Sequence, residues 1–132
     1  MRPVKVLIVD WETEFAAIVA NRLGSWGYAA TVASSKEEAM AMLAEQHPDV
    51  IVLVLRDKES WGFDLVRLAL AADQPAHVIL LCGKGATTAG MRGMRLGAFD
   101  CLPLPLELGV LIDRIRTATG FNLSLADENG EF

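Results

Sequence analysis

Cysteine is nearly missing from this 132-residue chain: only Cys82 and Cys101 occur, too few for a disulfide scaffold and without CxxC or Cys/His metal spacing. Buried free thiols that pack as small hydrophobes are the expectation. An excess of positive charge is also missing. Twelve Lys and Arg against seventeen Asp and Glu leave a net charge of −5, with Asp127, Glu128 and Glu131 near the C-terminal end, so direct nucleic-acid binding is not expected. No apolar run approaches the roughly 18 residues that cross a bilayer, and no signal-peptide core with a small-residue cleavage site is present. No membrane association and a cytoplasmic location are therefore expected. Without a secretory signal, the sequon Asn122-Leu123-Ser124 is a chance match.

Nucleotide-binding loops are absent as well. Gly83-Lys84-Gly85-Ala86-Thr87-Thr88 looks like the end of a phosphate loop, yet Val78 stands where GxxxxGK[ST] needs its first glycine and Gly85 follows the lysine. Asp10-Trp11-Glu12 lacks the glycines that let a backbone approach a dinucleotide. His47 and His77 have no catalytic partner nearby in sequence and are read as structural.

What is present is a strong apolar content, 52% of residues, enough for one well-filled domain. Short β-rich runs alternate with amphipathic segments, five times over, which argues for a parallel sheet covered by helices on both faces. Strands are expected at residues 4–9, 28–33, 50–55 and 77–82, the first and third being almost wholly apolar, as a strand buried on both sides should be. The first helix opens at Thr13, and Phe15, Ile18, Val19 and Leu23 recur at helical spacing up to Gly24-Ser25-Trp26-Gly27. Ser34 with Glu37, or Ser35 with Glu38, offers a capping-box start for a second helix with Ala39, Met40 and Leu43 inward. A third helix carries Phe63, Leu65, Val66, Leu68 and Ala69 and runs to about residue 72. The fourth, residues 87–96, contains Gly90 and Gly93, each worth about 1 kcal/mol against alanine in a helix interior, and should be the least stable and a movable element. Residues 106–118 form the last helix, with Leu108, Leu111, Ile112 and Ile115 inward and Arg114 and Arg116 where cations suit the dipole.

Three stretches carry a family resemblance. Val4-Lys5-Val6-Leu7-Ile8-Val9-Asp10 resembles the first strand and first acid of bacterial response-regulator receiver domains, and Gly97-Ala98-Phe99-Asp100-Cys101-Leu102-Pro103-Leu104-Pro105 resembles their fifth-strand signature. Between them, the spacing from Pro48 to Gly62 fits without a gap. The resemblance covers about residues 4–118. It implies a flavodoxin-like (βα)5 doubly wound sandwich with a five-stranded parallel sheet in the order 2-1-3-4-5. Residues 1–120 would form the receiver-like domain and 121–132 an acidic polar tail or the start of a linker. It also implies non-enzymatic signalling in a two-component or phosphorelay system, with a kinase, an output domain or another receiver as partner and no cofactor.

Aligned this way, the chain departs from the family at its chemical centre. Val54 stands at the phosphoacceptor position, Trp11 at the second acid, Cys82 at the hydroxyl residue ending the fourth strand, and Leu104 at the lysine; Asp10, Glu12 and Pro105 remain. Mg²⁺ wants oxygen ligands, and only Asp10 and Glu12 are left as loose candidates, so no metal site is expected. The replacements are concerted in type and point to a mostly apolar pocket, since removing acid and lysine together avoids an uncompensated charge. A pseudo-receiver acting through phosphorylation-independent protein contacts is the leading reading. Its rivals are a displaced acceptor such as Asp57, and a thiol-based redox sensor or enzyme using Cys82. Trp61 is expected to pack against its own helix rather than over the vacated pocket. The resemblance places the partner surface, and a homodimer contact, on the fourth helix, fifth strand and fifth helix, with Lys84, Arg92, Arg95, Cys101 and Arg114 as candidate contacts.

Overall fold

The computed structural model describes residues 2–56 and 62–120. The expectations for Asp57, Trp61 and the 121–132 tail lie outside the described residues. Five strands, β1 (Lys5–Val9), β2 (Ala29–Ala33), β3 (Val50–Leu55), β4 (His77–Cys82) and β5 (Asp100–Pro103), alternate with five helices, α1 (Thr13–Ser25), α2 (Lys36–Gln46), α3 (Gly62–Ala71), α4 (Thr87–Leu96) and α5 (Leu108–Thr119). All neighbouring strands pair in parallel, in the order β2-β1-β3-β4-β5. This is the flavodoxin-like (βα)5 arrangement.

The two-residue period of the strands divides the core. Val6 and Ile8 of β1 with Val50, Val52 and Val54 of β3 face α1 and α5, where they meet Ala16, Val19, Leu23, Leu111, Ile112 and Ile115. Leu7 and Val9 with Ile51, Leu53 and Leu55 face the other way, against Ala39 of α2 and Leu65, Val66 and Ala69 of α3. Every residue of β3 is buried, which explains why its sequence is continuous rather than alternating. Each such side chain contributes about 1.5–3 kcal/mol relative to an exposed one.

Helix boundaries and faces depart from expectation in definite ways. The α2 start uses Ser35: its hydroxyl accepts from the Glu38 amide at 3.1 Å, while the Glu38 carboxylate reaches back to the Ser34 amide at 2.7 Å, one residue earlier than a strict capping box. Ile18, expected inward, is 57% exposed. It stands two residues beyond the buried Ala16, which rotates it by about 200° to the opposite side of its helix. Helix α5 begins at Leu108 rather than residue 106, because Glu107 at its N-cap is still extended, with φ −99° and ψ 110°.

The glycines of α4 bring the largest correction. Gly90 and Gly93 are both buried, and a Cβ at Gly93 would collide with the Leu80 side chain of β4, so these residues let the helix backbone lie close on the sheet rather than loosen it. Their cost in helix propensity is offset by packing, and the movable-helix reading loses its basis.

At the opposite end of the sheet, Asp49 joins the starts of β1 and β3. Its carboxylate accepts from the Lys5 amide at 2.8 Å and from both terminal nitrogens of Arg2 at 2.8 Å. The hydrogen bond from Arg2 holds the Asp49 carboxyl below the ordinary carboxylate range, the Lys5 amide adding to it and burial opposing.

Two outcomes follow from this packing. Gly93→Ala should destabilise the domain by about 1–3 kcal/mol through overpacking, although alanine is the better helix former; a stabilised variant in urea unfolding would contradict the close-approach role. Asp49→Asn should lose about 1 kcal/mol at neutral pH. Because folding depresses this carboxyl, its contribution is complete above the unfolded-state pKa and disappears as pH falls through the folded-state value. Urea midpoints of parent and variant should therefore converge in acid; a gap that stays constant would assign the effect to something other than charge.

Candidate functional site

Strands β1, β3, β4 and β5 all end at one edge of the sheet, and the first functional side chain there is Asp10, directly after β1. Its carboxylate is fully buried. A buried carboxylate without a counter-charge would cost several kcal/mol. Arg56, the residue after β3, supplies one: its Nε donates to Oδ1 at 3.0 Å and its Nη2 to Oδ2 at 2.7 Å, a two-pronged pair. The Glu12 amide donates to Oδ1 at 3.2 Å, and the guanidinium carbon lies 5.1 Å from the Phe15 ring centroid. Adjacent strands β1 and β3 thus deliver opposite charges to one spot.

Sequence reasoning missed Arg56. The signal was available: an acid ending a wholly buried strand requires a partner, and Arg56 is the first charged residue after the apolar run of the neighbouring strand. The expectation of a mostly apolar pocket is corrected accordingly. Charge is retained at the strand ends, neutralised within the chain. Asp10 has both oxygens engaged, Glu12 is exposed, and among the described residues no group of three His, Cys, Asp or Glu side chains is placed to hold a metal ion.

The other positions do not converge on one cavity. Val54 is 1% exposed and belongs to the core facing α1 and α5, where Leu104 also packs. Trp11 is 40% exposed and takes no part in that core. Pro105 follows a cis peptide bond from Leu104. Cys82 lies on the opposite face of the sheet with Cys101 beside it. Burial pushes the Cys82 thiol up to about 12, and a hydrogen bond with Cys101 helps to hold its proton. A thiol so protonated is a poor nucleophile, which counts against an enzyme or redox sensor that depends on a reactive Cys82 thiolate.

The five expected contact residues also divide. Lys84, in a 3-10 turn before α4, and Cys101 line one surface cleft of about 350 Å³. Arg95 is exposed on the last turn of α4. Arg92 turns toward α3, its guanidinium carbon 4.5 Å from the Phe63 ring centroid. Arg114 pairs within the chain, with Asp100 at 2.7 Å and Asp113 at 2.6 Å, joining α5 to β5.

With fold and site described, comparison with known proteins defines the class. The response regulator receiver domain profile matches residues 6–116, and the chain belongs to that family. Members are signalling modules of two-component systems and are not enzymes. The chain is 32% identical over 112 residues to the probable transcriptional regulator ycf27 of Guillardia theta, covering 85% of this chain and 44% of that protein. The receiver domain protein of Clostridium thermocellum superimposes with a TM-score of 0.81 at 25% identity, over 92% of this chain and 98% of that one. For the response regulator receiver protein of Pseudomonas putida the TM-score is 0.77 at 28% identity, over 89% and 98%. The chain spans about half the length of the curated relatives it matches. No helix among the described residues is long and apolar enough to cross a membrane.

The pairing at the strand ends has a measurable strength. Arg56→Met should destabilise the fold by about 3 kcal/mol by leaving Asp10 charged and buried, and adding Asp10→Asn should recover part of the loss. Urea unfolding of both single variants and the double variant checks this; strictly additive effects would refute a coupled pair.

Proposed function

We propose that this receiver domain signals through protein contacts without aspartyl phosphorylation. The observation that carries the reading is the Arg56 guanidinium seated on both oxygens of Asp10. In this position the chain's own cation neutralises the acid that the family resemblance assigns to Mg²⁺. Val54 offers no oxygen nucleophile for a phosphoryl group, and Leu104 no cation to receive one. Both side chains instead contribute to the core. Phosphorylation would require breaking the ion pair and inserting charge into that core.

The partner surface is assigned to α4, β5 and α5, where Met91, Met94 and Val110 are exposed apolar side chains and Lys84 and Arg95 provide positive charge. A kinase, an output domain, another receiver or a second copy of this chain is the partner class. Regulation of transcription, as the name of the Guillardia relative suggests, would require a further segment acting as output. A cytoplasmic location accompanies this reading.

Acetyl phosphate or beryllofluoride with Mg²⁺ should leave the mass and the Trp11 fluorescence of the wild-type chain unchanged. Val54→Asp alone should not restore phosphorylation, because Leu104, Trp11 and the Arg56–Asp10 pair stay in place. Stoichiometric incorporation of phosphoryl by the wild type, read by intact-mass spectrometry, would overturn the proposal, and mapping it to Asp57 would establish the displaced acceptor.

A further inference from the structure

The cleft between α4 and β5 has an unusual lining. Four sulfur-bearing side chains border it, Cys82, Cys101, Met91 and Met94, together with Lys84 and Thr87. Among the described residues that line it, none is a carboxylate or an imidazole. We propose that this cleft is a binding site for a soft monovalent metal ion, copper(I), held by the thiolates of Cys82 and Cys101 and the thioethers of Met91 and Met94. The inference concerns a ligand and stands independently of how the domain signals.

Several observations converge on it. The cysteines project from β4 and β5 on the same face of the sheet, with Cys101 opposite Leu80 and Cys82 opposite Pro103. Gly90 of α4 lies directly over both sulfurs: a Cβ there would stand 2.7 Å from the Cys82 Sγ and 2.9 Å from the Cys101 Sγ. The absent side chain lets the helix backbone pack directly on the two sulfurs and hold them together, and the side of each half-buried thiol that stays open is the cleft it lines. Met91 and Met94 lie on the flank of α4 that borders the cleft, and both are exposed, with unbranched side chains free to reorient.

Donor chemistry selects the ion. Thiolate and thioether sulfur favours Cu(I), whereas Mg²⁺ and Ca²⁺ need oxygen ligands. Zn²⁺ normally takes three or four Cys, His or carboxylate ligands, and only two such groups are here. The two thiols each release one proton to solvent as two copper–sulfur bonds form, and copper stays in the +1 state with no electron transferred. The resulting copper dithiolate carries a net charge of −1, which Lys84 on the cleft wall offsets. A disulfide is the poorer use of the pair. The diagonal register puts the two Cα atoms roughly 8 Å apart by ordinary strand spacing, beyond the usual disulfide range.

Anaerobic titration of the full chain with Cu(I) in competition with bicinchoninate tests the proposal. One equivalent of copper should transfer to the protein, with thiolate-to-copper charge-transfer absorption in the ultraviolet. Cys82→Ser and Cys101→Ser should each lower affinity by more than the roughly 10–100-fold typical of losing an outer-shell partner. Met91→Leu with Met94→Leu should lower it by a smaller factor while leaving the charge-transfer band. Circular dichroism establishes that each variant is folded, and Met91 and Met94, being exposed, can be replaced without opening the core. Copper that stays with the chelator would overturn the proposal. So would a folded Cys82→Ser, Cys101→Ser double variant that binds copper like the parent, or Zn²⁺ displacing copper from the chain.

Discussion

A buried carboxylate is the constraint around which the strand ends of this domain are organised. Asp10 is fully buried, so its charge must be answered within hydrogen-bond range. In open parallel α/β sheets, the carboxyl ends of the strands are where ligands and their charges collect. Here the answering charge belongs to the chain itself. Arg56 reaches Asp10 because β1 and β3 are adjacent, in register from Val6 opposite Val50 to Val9 opposite Leu53; β3 runs two residues past the end of β1, and the long Arg56 side chain spans the offset. A lysine could supply charge at that point but not the planar fork that engages both oxygens.

The two faces of the sheet carry different consequences of this arrangement. On the α1 and α5 side, Val54 and Leu104 extend the core to the very edge where charge would otherwise stand. On the other side, Gly90 and Gly93 let α4 lie close to β4 and β5, and the cysteines fill the space between. Opposite charges thus meet within the chain at the strand ends, while sulfur and aliphatic carbon occupy the junction with α4.

Much of the architecture was legible in the sequence because it depends on periodicity. The continuous apolar runs of β1 and β3 could be only doubly covered strands, and the family resemblance supplied their order. Ile18 was misread because apolar character alone was taken for burial, when the angle about the helix axis decides it. Gly90 and Gly93 were misread for another reason: propensity describes an isolated helix, whereas the contacts with Leu80, Cys82 and Cys101 come from strands remote in sequence. The partner of Asp10 went unrecognised because a charged residue after a strand looks like ordinary solvent-facing loop. Arg92 and Arg114 were placed on the right elements, yet their heads turn to Phe63 and Asp100. A sequence reports the element a side chain stands on more readily than the direction it takes.

The closeness of Gly93 to Leu80 also bears on how such a chain can vary. Two positions thirteen residues apart share one volume, so a methyl group gained by the helix must be surrendered by the strand. Neither site can drift alone; an enlarged residue at 93 becomes acceptable only in a lineage that has already trimmed the leucine. The order in which substitutions arrive is therefore part of what this interface permits.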